Sequence, residues 1–171
     1  MKKQAVRLLA GVAVAGVMAT AGSWSNGTEA ATAQANVAVS ASVAANCLVS
    51  ANPLSFGAYD PLSANDTAPL DAAGTFTVRC TKGVSADIGL DEGENFASGS
   101  RHMSDGGTEL LAYDLYTDAS RTAVWDNAGN RVNYVAPNRS AYTLTVYGRV
   151  PGAQDPAAGS YNDTVAAIAE F

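Results

Sequence analysis

From Ala35 to Cys47 every odd position is Ala, Val or Cys, and the even positions between them are Asn36, Ala38, Ser40, Ser42, Ala44 and Asn46. A two-residue period marks a strand with one buried face. Thirteen residues would extend about 43 Å at roughly 3.3 Å per residue, about twice an ordinary strand. One strand of one sandwich has no use for that length. Two strands in series would, including two that end up in different molecules.

Downstream the alternations are shorter and separated by turn chemistry. Leu54-Ser55-Phe56 is followed by Gly57 and a polar loop, Asp60 to Gly74, holding Pro61 and Pro69. Thr75 to Cys80 points Phe76, Val78 and Cys80 inward, and Val84 to Leu90 does so with Val84, Ala86, Ile88 and Leu90. The acidic, Gly-rich stretch Asp91 to Gly107 breaks the pattern. It resumes at Glu109 to Tyr116, briefly at Thr122 to Trp125, and over Tyr142 to Val150. The last strand is expected over Thr164 to Phe171, with Val165, Ala167, Ala169 and Phe171 as a terminal edge and nothing downstream to pair with it. Seven or so short strands, with no helical stripe, predict an all-β sandwich.

The first residues follow a different logic. Lys2, Lys3 and Arg7 precede an apolar stretch, Leu8 to Met18, and then the small residues Ala19-Thr20-Ala21. That order predicts a secretory signal peptide over residues 1–21. Eleven apolar residues are short for a membrane span of roughly 20, and no later segment predicts stable membrane insertion. Gly22 to Gln34 is small and polar and reads as a linker, so residues 22–45 form an N-terminal extension and 46–171 the domain.

Export changes how the cysteines and charges read. Cys47 and Cys80 are the only two cysteines, and an even count in an exported chain predicts one disulfide. After cleavage seven basic residues face sixteen acidic ones, a net charge near −9. Such a surface repels phosphate backbones, which argues against a nucleic-acid partner.

Little catalytic chemistry stands out. His102 is the single histidine, and no nucleophile motif lies near it. Asp87, Asp91, Glu92, Glu94 and Asn95 cluster, but not at the spacing of a twelve-residue calcium loop. A solvated turn explains them. A secreted hydrolase would rest on those carboxylates and one histidine, so no catalytic residue, metal or cofactor is assigned.

Several ordered fragments resemble the spore coat protein U domain, a family that includes the major subunits of archaic chaperone–usher pili. They are Asn46-Cys47, Leu54 to Tyr59, Phe76 to Cys80, Arg101-His102-Met103, Leu111 to Tyr116, Thr145 to Pro151 and Gly159 to Val165. The resemblance implies an immunoglobulin-like sandwich lacking its last strand, completed by a donor strand from the next subunit. It further implies a periplasmic chaperone, an outer-membrane usher and other pilin subunits as partners, and a place on the cell surface in a pilus or coat. The donor candidates are Ala35, Val37, Val39, Ala41 and Val43, with Ala41 to Cys47 expected to begin the domain's own first strand. Self-complementation, with Val37 and Val39 folded into their own groove, is the alternative.

Overall fold

The computed structural model describes residues 31–171. The expected signal peptide and the start of the linker, Trp24 included, lie outside those residues. The chain divides into two compact units, Met1–Ser40 and Ala41–Phe171. In the first unit, residues 31–40 are exposed and form neither strand nor helix.

The second unit is all-β. Its strands are β1 (Cys47–Ala51), β2 (Leu70–Cys80), β3 (Ser85–Leu90), β4 (Arg101–Ser104), β5 (Leu110–Tyr116), β6 (Val132–Val135), β7 (Tyr142–Val150) and β8 (Ala167–Glu170). They form a five-stranded sheet, β1-β2-β7-β5-β4, and a three-stranded sheet, β6-β3-β8. Every ladder is antiparallel.

The two-residue period sorts side chains as expected for β2 and β7. Phe76, Val78 and Cys80 are buried from β2, and Leu144, Val146 and Val150 from β7. Facing them are Ala86, Ile88 and Leu90 of β3, and Trp125. Trp125 is 1% exposed. Its indole donates to the Ile88 carbonyl at 2.9 Å, and its ring lies 5.3 Å from that of Phe76.

Several boundaries differ from expectation. The first strand begins at Cys47, whereas Ala41 to Asn46 is exposed and lacks regular structure. Beyond the Cys47–Cys80 pair, β2 gives way to a turn, so only isolated bonds hold the upstream chain. Thr81 donates from its amide to the Asn46 carbonyl at 2.9 Å and from its hydroxyl to the Ala44 carbonyl at 3.2 Å. β2 starts five residues before the expected Thr75, because Leu70, Ala72 and Gly74 keep the inward phase and pair with β7. β4 forms inside the stretch read as a break, and β6 forms where the pattern predicts no strand. Leu54 to Phe56 is not a strand, and Thr122 to Trp125 contributes only the bridge Tyr116↔Val124.

Arg101 explains why the acidic stretch contains a strand. It is 3% exposed. Its guanidinium donates to the carbonyls of Asp91 (Nε, 2.9 Å), Trp125 (2.8 Å) and Leu90 (3.3 Å). These bonds satisfy the Leu90 and Asp91 carbonyls at the end of β3 and the Trp125 carbonyl beside it, a requirement that composition does not reveal.

Candidate assembly groove

The two sheets are joined on one side and open on the other. On the closed side Ser104, in edge strand β4, exchanges backbone bonds of 2.8 and 2.9 Å with Asn162. On the open side β1 pairs only with β2 and β8 only with β3, among the described residues. Strands β1 and β8 approach within 8 Å, Cα to Cα, without sharing a ladder. Each therefore keeps one edge without a ladder partner among the described residues.

Past the ends of these strands, over the inner face of the five-stranded sheet and between residues 51–61 and 156–167, runs a furrow of two sections, of about 380 and 710 Å³, that share lining residues. Leu54, Phe56, Met103, Tyr161 and Asn162 line both sections. Core residues Phe76, Leu90 and Leu115 form the floor of the smaller section, and Leu70, Leu111 and Val150 that of the larger. An apolar floor left open at a sheet edge is an unstable surface in water, and natural sheets ordinarily cover one.

The walls are irregular segments pinned at their ends. On one wall the Asn52 amide bonds the Thr75 carbonyl at 3.2 Å. The Tyr59 hydroxyl donates to the Pro151 carbonyl at 3.1 Å and accepts from the Gln154 amide at 3.0 Å. Gln154 in turn uses its side-chain amide to satisfy both backbone groups of Ala112. On the other wall Tyr161, Val165, Ala167 and Ala169 pack against the core.

Electrostatically the furrow is almost neutral. Asp163 is the one ionisable carboxylate among its lining residues. It accepts from the Tyr113 hydroxyl at 2.6 Å and from the Asn95 amide and side chain at 3.1 and 2.9 Å. Burial, then the Asp163 carboxylate, pushes the Tyr113 phenol well above its ordinary range. Hydrocarbon walls with free backbone edges suit the reception of an extended peptide.

The expected site residues fall as follows. Cys47 and Cys80 are joined in a disulfide where β1 and β2 begin their ladder. Val37, Val39 and Val43 are 84, 90 and 85% exposed, and Ala35 and Ala41 are exposed as well. Ala167 and Ala169 lie in β8 and turn inward, as Val165 does just before it. Phe171 lies beyond β8 and is 58% exposed. The acidic cluster is used within the fold: Asp91 accepts from the amides of Gly93 and Ala166, and Asp87 from the Asn133 side chain. His102 lies in β4 with its Nδ1 3.0 Å from the Ser100 carbonyl.

The Leu54–Phe56 wall went unrecognised as part of a site. Its signal was the run of small residues Ala72, Gly74 and Gly148 at inward positions of otherwise bulky strands. Such a gap calls for a large side chain from elsewhere.

An all-β sandwich with one lateral side open defines the class: a domain whose second sheet is short of a strand. The Spore Coat Protein U domain model matches residues 33–168, and the chain belongs to that family. It is 36% identical over 157 residues to Protein U of Myxococcus xanthus, covering 84% of this chain and 87% of that relative. Its fold is similar to a chain in the crystal structure of the CsuC–CsuE chaperone–tip adhesion subunit pre-assembly complex, from the archaic chaperone–usher Csu pili of Acinetobacter baumannii. That match has a TM-score of 0.53 and 21% identity over 75% of this chain and 40% of that one. A second solved structure, the E. coli Hda pilus minor tip subunit HdaB, matches with a TM-score of 0.36 and 13% identity over 72% and 79% of the two chains.

Proposed function

We propose that this protein is an exported, non-catalytic subunit of a surface pilus or protein coat. In this reading it polymerises when the N-terminal extension of one copy enters the furrow of the next. One observation carries it: a neutral apolar furrow lies beside two strand edges, those of β1 and β8, that have no ladder partner among the described residues, in a chain whose own alternating extension is exposed over residues 31–46. An added strand would satisfy the backbone of β8 and cover the floor, and alternate Val and Ala side chains would face inward.

A strand paired on both sides needs about 9.5 Å between its neighbours, twice the inter-strand spacing. Strands β1 and β8 approach within 8 Å, so entry of a strand moves one edge outward. A periplasmic chaperone that occupies the furrow first would keep it open and shield it from aggregation. The chaperone complex seen for the Acinetobacter fold relative supports that partner, and an outer-membrane usher would complete the route to the surface. Adhesion, biofilm or coat formation follows from where such a polymer accumulates.

The test is a deletion of residues 22–40 with residues 1–21 retained. The full chain should give a ladder of polymers on unboiled gels. The deletion should give none, yet still be captured with its chaperone. Polymers that survive the deletion would sink the reading. A full chain that stays monomeric at high concentration would favour self-complementation.

A further inference from the structure

We infer that Phe56, backed by Leu54, sets the size of side chain the furrow accepts, admitting the valines and alanines of a second copy's extension and excluding bulky residues. This rests on the donor-strand reading above and adds to it a determinant of specificity.

The depression beneath Phe56 is made by missing side chains. Ala72 pairs with Gly148 and Gly74 with Val146, so three small residues face inward in neighbouring strands. A β-carbon at Gly148 would lie 2.6 Å from Cζ of Phe56, and one at Gly74 would lie 3.2 Å from Cβ of Leu54. Both positions are therefore filled by the chain's own wall. The Phe56 ring also meets Tyr113 edge-on, with centroids 5.9 Å apart at 64°. The bonds at Asn52 and Tyr59 hold the wall at both ends. Phe56 thus has packing beneath it and anchors on either side, and it does not swing aside at no cost.

The extension matches that constraint. Ala35, Val37, Val39, Ala41 and Val43 carry at most three side-chain carbons, and no Leu, Ile, Met or aromatic residue occurs between 31 and 46. Elsewhere the same chain builds its core from Phe, Leu, Ile, Tyr and Trp as well as from Val and Ala. The extension has no charged residue between 31 and 46, and the one carboxylate lining the furrow is already bonded to Tyr113 and Asn95. Occupant and furrow therefore agree in charge as well as in size. A small side chain buries completely only against a wall close to it, and Leu54 and Phe56 supply that wall.

The experiment uses full-length protein and fluorescent peptides spanning residues 33–46, either unchanged or carrying Val37→Phe or Val39→Phe. Binding is read by anisotropy against wild-type, Phe56→Ala and Phe56→Val proteins, each checked by near-ultraviolet circular dichroism. Wild-type protein should bind the unchanged peptide at least tenfold more tightly than either Phe peptide. Phe56→Ala or Phe56→Val should recover at least one of them while weakening the unchanged one. Equal binding of all peptides by wild-type protein overturns the inference and leaves the donor-strand reading intact. So does failure of every folded Phe56 variant to recover a Phe peptide. If no peptide binds any of the proteins, the donor-strand reading itself fails. Should neither variant fold, discrimination by the wild-type protein alone decides.

Discussion

The Tyr113 hydroxyl donates to Oδ2 of Asp163 at 2.6 Å, tying the middle of β5 to the segment that leads into β8. Asp163 also holds the Asn95 amide, so one carboxylate joins three parts of the chain beside the furrow. Tyr113→Phe keeps the ring and its contact with Phe56 but removes a donor from a partly buried carboxylate. We expect a loss of about 1–3 kcal/mol, measured by urea unfolding. A change within error would show that water replaces the phenol freely.

The same pair gives the fold an alkaline limit. The phenol is favoured in its neutral form because burial and Asp163 raise its pKa. A raised folded value means that the contribution is fully present below the unfolded phenol value near 10 and is lost as pH climbs above it. Stability should therefore fall more steeply above pH ~10 in wild-type protein than in Tyr113→Phe. Identical alkaline slopes would assign the limit to other groups.

Arg101 should be among the costliest exposed-type residues to remove. Its guanidinium serves the carbonyls of Leu90, Asp91 and Trp125, and Arg101→Met leaves all three without that donor. A loss of about 3–5 kcal/mol is expected, the range for breaking a buried charged network. Lys, with a point charge in place of a planar fork, should recover only part of it. Thermal unfolding of the three proteins decides, and full rescue by Lys would show that charge alone matters.

How much of this could be read in the sequence depended on whether the partner of each residue was local. The alternation of Phe76-Val78-Cys80 and of Leu144-Val146 placed β2 and β7 because the inward phase depends only on the pleat. β4 and β6 escaped because four residues carry too little period to stand out. Arg101 escaped because its partners lie up to 24 residues away. The expected strand from Ala41 was too early: period tells which face a strand would bury, not whether a neighbour exists to pair with it. At the groove, the edge at Val165 to Ala169 was legible as a pattern. The Leu54–Phe56 wall, whose meaning lies in the glycines beneath it, was not.

The disulfide should matter more to the furrow than to the rest of the fold. Cys47 and Cys80 are register partners at the start of β1, 33 residues apart in sequence. Closing a loop of that size stabilises a chain by roughly 3–4 kcal/mol in the entropy model. Cys47→Ser with Cys80→Ser should lose about that much. Hydrogen exchange should rise first in β1, which has only β2 to hold it. Uniform acceleration across both sheets would instead show one cooperative unit.

The contact between Gly148 and Phe56 can be tested within a single folded domain, without any assembly. A β-carbon at residue 148 would lie 2.6 Å from Cζ and 2.7 Å from Cε1 of Phe56, below any real packing distance. Gly148→Ala should therefore push the ring out of its seat and cost about 1–3 kcal/mol, as overpacking does. Phe56→Ala alone should also destabilise, by about 2 kcal/mol, less than a fully buried Phe because the residue is only partly buried. In the double variant the alanine methyl enters space the ring has left. The combined loss should then fall short of the sum of the two single losses by about 1 kcal/mol or more, a coupling expected only of residues in contact. Additive losses would mean that the ring relaxes elsewhere at little cost. The wall would then be too soft to discriminate by size.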